Sequence, residues 1–101
     1  MKIEFLYFKD CPGYLSTLHS LEKITADLSP RTTIEKIEIT SEKQARQYRF
    51  LGSPSIRING RDIEGGEEDL EYGLKCRIYS ETGSGMPSEK LIRQALQAAG
   101  K

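Results

Sequence analysis

The apolar positions of this chain change period along its length, and each change marks an element. Residues 3–8 (Ile-Glu-Phe-Leu-Tyr-Phe) form a nearly continuous apolar run in which Glu4 is the single charge. Such a run predicts a strand buried on both faces, as in the middle of an α/β sheet. Leu15, Leu18, Leu21, Ile24 and Leu28 then recur at three- and four-residue steps, predicting one apolar stripe on an amphipathic helix. Ser29-Pro30 ends that helix, because the residue before proline is pushed out of the helical region. Residues 33–39 predict a second strand, with Ile37 and Ile39 on one face and Ile34 on the other.

Ser41 with Gln44 three positions on has the form of a capping box. The helix it starts is predicted to run through Ala45 and Tyr48 to near Leu51, closed by Gly52. Asn59-Gly60 between two short apolar runs is a hairpin signal that calls for a type I′ turn. A two-residue loop there opposes Ile58 with Arg61 and Ile56 with Ile63. Residues 64–86 are loop-rich; 74–79 are a candidate short strand and 81–85 have flexible composition. A last helix is predicted from Pro87-Ser88, burying Leu91, Ile92, Ala95, Leu96 and Ala99 and ending at Gly100. The order is β-α-β-α-β-β-α. It predicts one α/β domain over residues 1–101: a mixed four-stranded sheet, helices on both faces, and an insertion (64–86) carrying Cys76 before the last helix.

Charge then narrows the partners. The 101 residues carry 15 basic and 15 acidic side chains, a formal net charge of zero. That balance leaves no electrostatic footprint for nucleic acid or for an anionic membrane surface. No apolar run approaches the roughly 20 residues needed to cross a bilayer. The strand pattern begins within two residues of Met1, leaving no room for a signal peptide, so a cytoplasmic protein is expected. Two cysteines are too few for a disulfide-stapled scaffold, and in a reducing compartment they are expected as free thiols, any disulfide being transient.

The candidate chemistry centres on Cys11-Pro12-Gly13-Tyr14, where the first strand gives way to the first helix. Unpaired N–H groups at a helix start favour a thiolate, and can lower a thiol pKa from its ordinary value of about 8.5. Pro12 suits a first helical position, and Gly13 removes bulk beside the sulfur. Lys9 adds positive field and Asp10 opposes it. The Tyr14 hydroxyl could reach the sulfur, but packing on the helix is the expected role. Alternatively, Cys11 is a small buried hydrophobe at a strand end. His19 falls two helical turns further on and is expected at the surface, which argues against a Cys-His hydrolase.

Cys76 lies between Lys75 and Arg77, whose charges would favour its thiolate if they lie near the sulfur. Three roles are open to it: resolving cysteine for Cys11, second ligand to a soft metal, or packed cysteine on a half-buried strand. The acidic run at 65–69 lacks the alternating oxygen ligands of an EF-hand, and 82–85 lacks the Gly-Lys-Ser/Thr ending of a phosphate loop. Two cysteines and one histidine fall short of a closed four-ligand zinc site.

In its element order and two short motifs the chain resembles the thioredoxin superfamily. Cys11-Pro12-Gly13-Tyr14 occupies the place of that family's C-x-x-C, with Tyr14 where the second cysteine would fall. The sequence is thus similar to the single-cysteine branch, in the logic of monothiol glutaredoxins. Gly52-Ser53-Pro54-Ser55 enters the third strand where the family carries a cis-proline facing the catalytic cysteine. A looser likeness is to small bacterial thioredoxin-like proteins associated with heavy-metal handling. The resemblance implies thiol–disulfide exchange through Cys11, resolved by Cys76, glutathione as co-substrate or another thiol. It implies a contact surface for a thiol- or disulfide-bearing protein or small thiol at Pro12, Gly13, Tyr14, Ser53 and Pro54, with Ser53 offering backbone groups to an extended partner. As an enzyme the protein would be a thiol–disulfide oxidoreductase needing no bound cofactor. The alternatives are binding or transfer of a soft metal through Cys11 with or without Cys76, and a catalytically inactive interaction module.

Overall fold

β1 (Ile3–Tyr7) is the strand on which the sheet is built. In the computed structural model, which describes residues 1–64, 72–79 and 82–100, it has neighbours on both edges. β2 (Ile34–Glu38) lies parallel to it, with Ile3 opposite Ile34 and Tyr7 opposite Glu38. β3 (Ser55–Ile58) lies antiparallel on the other side, with Ile3 opposite Ile58 and Leu6 opposite Ser55. The short β4 (Arg61–Asp62) completes a mixed four-stranded sheet in the order β2-β1-β3-β4. A parallel pair cannot be closed by a tight turn. The crossover between β1 and β2 is α1 (Tyr14–Leu28).

The alternation of β1 separates two apolar clusters. Ile3 and Phe5 point into one, with Leu18, Leu21 and Ile24 of α1 and Ile92 and Leu96 of α3 (Glu89–Ala99). Leu6 points into the other, with Ile39, Phe50 and Ala45 of α2 (Glu42–Gln47). Helices therefore cover both faces, and β1 is buried on both, as its unbroken apolar run requires. Among the described residues no helix is long and apolar enough to cross a membrane.

The stripe on α1 is narrower than the leucine spacing suggests. Leu15 is 53% exposed and Leu28 36%, while Thr17 and Thr25 are buried beside Leu18, Leu21 and Ile24. The α2 helix stops at Gln47, short of Leu51. Its end is a paired-bond turn in which Arg49 N–H donates to Arg46 O and Phe50 N–H to Ala45 O, with Arg49 taking the left-handed φ of 54°. Gly52 is therefore not the cap, and its use lies elsewhere. At the other end of α2, Ser41 accepts from Gln44 N–H, but Gln44 reaches back to the Thr40 N–H and hydroxyl. In α3, Ser88 caps the helix by accepting from Leu91 N–H; Ile92 and Leu96 are buried, with Leu91, Ala95 and Ala99 half-buried.

Asn59 (φ 54°) and Gly60 (φ 84°) make the hairpin turn with both residues left-handed, and Ile58 opposes Arg61. The turn is tied to the start of β1: Asn59 N–H donates to Lys2 O, and Lys2 N–H donates to the Asn59 side-chain oxygen. Residues 74–79 do not form a strand of the sheet. They make one parallel bridge between Ser53 and Cys76, and one antiparallel bridge between Tyr79 and Ser84. Residues 82–85 are a hydrogen-bonded turn rather than a linker: Gly83 N–H donates to Tyr79 O, and the Thr82 hydroxyl donates to Met86 O. The 65–69 acidic run lies outside the described residues.

Candidate functional site

Cys11 and Cys76 form a disulfide, their Cα atoms 5.7 Å apart across a sequence separation of 65 residues. That spacing is ordinary for a bridged pair. Both cysteines are paired, so the expectation of free thiols does not describe this state.

The two partners differ in surroundings. Cys11 is 2% exposed, whereas Cys76 is exposed at the surface. The accessible sulfur expected at Cys11 is thus covered, and the solvent side of the pair belongs to Cys76. Cys11 follows β1 in a turn closed by its own N–H donating to Phe8 O. The α1 helix does not begin at Pro12. Gly13 is its N-cap, in the left-handed conformation at φ 90°, and Tyr14 is its first residue. Cys11 therefore sits two residues ahead of the cap, at the margin of the helix field, which fades within a turn. Met86 lies over Gly13, where a Cβ would come within 3.4 Å of its side chain. Pro12 is exposed. The Tyr14 ring stacks on Tyr7, centroids 5.0 Å apart, so its role is packing. His19 is exposed on α1.

Ser53 and Pro54 lie on the other side of the sulfur. The Ser53–Pro54 peptide bond is cis, and the Ser53 carbonyl oxygen is 3.4 Å from Cys11 Sγ. Among the described residues, the Ser53 hydroxyl is buried with no hydrogen-bond partner. The backbone of Ser53 does not wait for a partner strand. Its N–H donates to Lys75 O, and its carbonyl accepts from Arg77 N–H, so the chain's own 75–77 segment occupies that edge. Gly52 explains how the two backbones come so close. At its φ of 120°, an added Cβ would lie 2.7 Å from Arg77 Cβ and 2.9 Å from Arg77 N.

The segment is held from within. Arg77 turns inward rather than toward the sulfur of Cys76, making a two-pronged pair with Asp62 (2.7 and 3.1 Å) and a further bond to Glu64 at 2.9 Å. It also donates to the Ser55 hydroxyl and lies 4.1 Å over the Tyr79 ring. Burial works against the Arg77 charge, but the hydrogen bond and field of Asp62, with Tyr79 and Glu64, outweigh it and hold the pKa above its ordinary value. Tyr79 is fully buried, and its hydroxyl donates to the Pro54 carbonyl at 2.6 Å. Burial raises the Tyr79 pKa, the Arg77 charge opposes that, and Asp62 and Glu64 add to it, so the hydroxyl stays protonated.

The structure thus brings Cys11, Cys76 and Ser53 together and leaves Pro12, Tyr14 and His19 aside. Sequence reasoning missed Asp62 and Tyr79 as parts of the site, and gave Arg77 and Gly52 other roles, a charge acting on Cys76 and a helix cap. Cys76 and Ile78 face outward while Arg77 and Tyr79 face inward, the reverse of what the polarity of Arg77 and Ile78 suggests, so no pattern in the sequence marked them. Among the described residues, no group of three or more His, Cys, Asp or Glu side chains comes together around a point that could hold a metal ion. A scan against protein-family models and searches of curated proteins and of solved structures find no match for this chain.

Proposed function

We propose that this chain, thioredoxin-like in layout, is a thiol–disulfide redox protein whose working group is the Cys11–Cys76 pair. The single observation that carries the reading is the pair itself: a buried sulfur against Ser53 and an exposed partner delivered by the 73–79 segment. In the reduced protein, one thiolate attacks an external disulfide, forms a mixed disulfide and expels one thiolate. The second cysteine then attacks the protein sulfur of that mixed disulfide. The Cys11–Cys76 bond closes and the second external thiolate leaves. Two electrons pass from the protein to the substrate, and an external thiol such as glutathione, abundant in the expected cytoplasmic setting, returns them by the reverse steps.

The chain's other residues serve this exchange by position. Segment 73–79 keeps the two sulfurs within bonding reach, which turns the second step into a local reaction. The test is equilibration of the folded protein in glutathione buffers of graded ratio, read by alkylation and mass. A two-electron transition between dithiol and disulfide, with the fold kept on both sides, is the expected result. A bond that is reduced only on unfolding would make it a structural staple and overturn the reading.

A further inference from the structure

In the resemblance drawn from the sequence, the Ser53 edge receives an extended partner. Here that edge is filled by the protein itself, through contacts on both sides of Cys76 as well as through the disulfide. Ahead of Cys76, Gly73 N–H donates to Phe50 O, Leu74 N–H donates to Glu42, and the Leu74 side chain packs on the Leu6 cluster. After it, Arg77 is locked to Asp62, Glu64 and Ser55, and Tyr79 to Pro54. Breaking one S–S bond removes none of these contacts. Admitting another strand would pull Arg77 out of a buried, hydrogen-bonded ion pair, which is strongly unfavourable.

Resting on the exchange reading above, we propose that the external partner is a low-molecular-weight thiol or disulfide, met at Cys76 from solvent. Cys11 is then the inner sulfur. In the reduced protein the Cys76 thiolate attacks a small disulfide RSSR; a Cys76–SR bond forms and RS⁻ leaves. The Cys11 thiolate attacks Cys76 Sγ, the Cys11–Cys76 bond forms, and the second RS⁻ leaves with the bonding pair. Atoms and electrons balance, with RSSR reduced to two thiolates and the protein dithiol oxidised. A protein disulfide presented on a strand cannot pair with the Ser53 edge, since Ser53 N–H and C=O are already bonded to Lys75 and Arg77. This reverses the sequence-based order, in which Cys11 attacks and Cys76 resolves.

The experiment compares the reduced single-cysteine variants Cys11→Ser and Cys76→Ser for mixed-disulfide formation with glutathione disulfide. The reduced wild-type protein is oxidised in parallel by glutathione disulfide and by insulin. Amide hydrogen exchange at Ser53 and Arg77 is followed before and after reduction. Expected are at least tenfold faster capture by Cys11→Ser, which keeps Cys76, at least tenfold preference for glutathione disulfide over insulin, and unchanged protection of both amides. Faster capture by Cys76→Ser, preference for insulin, or loss of amide protection on reduction would each overturn the proposal. If no external disulfide reacts at all, the exchange reading fails by itself, and the two amides still report whether the edge stays filled.

Discussion

The Tyr79 hydroxyl donates to the carbonyl oxygen of Pro54 at 2.6 Å, from a ring with no exposed surface. This bond joins the end of the Cys76 segment to the loop that touches Cys11. Tyr79→Phe leaves the Pro54 oxygen without that donor inside the protein, a loss of about 1–3 kcal/mol. Urea unfolding of the two proteins at neutral pH measures it. The gap should be pH-dependent with a definite sign. Burial raises the Tyr79 pKa in the fold, so its contribution is whole below the ordinary tyrosine value of about 10. It is lost as pH rises above that value toward the folded pKa. Wild type and Tyr79→Phe should therefore converge in stability in alkaline buffer.

Asp62 and Arg77 are both nearly inaccessible, with side chains 1% and 8% exposed. Without Asp62, the Arg77 guanidinium loses its two-pronged partner and falls back on Glu64, whose side chain is 18% exposed. Asp62→Ala should destabilise the fold by about 1.5–3 kcal/mol, and the double variant Asp62→Leu with Arg77→Met should recover much of that loss. Chemical denaturation of the wild type and the two variants gives both numbers.

Gly52 stands where two backbones meet, and no side chain fits. Gly52→Ala places a Cβ against Arg77 in a backbone conformation that alanine resists, at a cost of about 1–3 kcal/mol. Because the clash pushes the 75–77 segment away from Ser53, closure of the Cys11–Cys76 bond from the dithiol should slow as well. Stopped-flow oxidation by glutathione disulfide, compared with wild type, reads that step.

Linking residues 65 apart restricts the unfolded chain far more than the folded one. In the chain-entropy picture, reduction should lower the unfolding free energy by about 4 kcal/mol. Far-ultraviolet circular dichroism should stay unchanged, since both anchors of the 73–79 segment survive reduction. Thermal melts with and without a phosphine reductant test both halves of this expectation.

The local elements were legible because they are written in short-range code. The β1 run, the Asn59-Gly60 turn and the Ser88 cap each follow from residues within a few positions of one another, and so does the order of strands and helices. The end of α2 was misplaced because Arg49 takes the left-handed turn that glycine usually marks, which made Gly52 look like the cap. The site was half legible. Cys11 and Pro54 stand out by motif, but the pairing of Ser53 with Cys76 has no periodicity behind it. Arg77 reads as a surface charge beside a cysteine until Asp62 and Glu64, 15 and 13 residues before it, turn up across a buried contact. Such contacts depend on where the insertion is folded back, and composition does not say.

The clamp between Lys2 and Asn59 sits at the end of β1 away from Cys11. Five strand residues intervene, at about 3.3 Å each. Material fused ahead of Met1 would leave the domain beside the hairpin tip, remote from the sulfurs. The protein can therefore be anchored to an electrode or bead by its front end with the reactive end directed into the bathing solution.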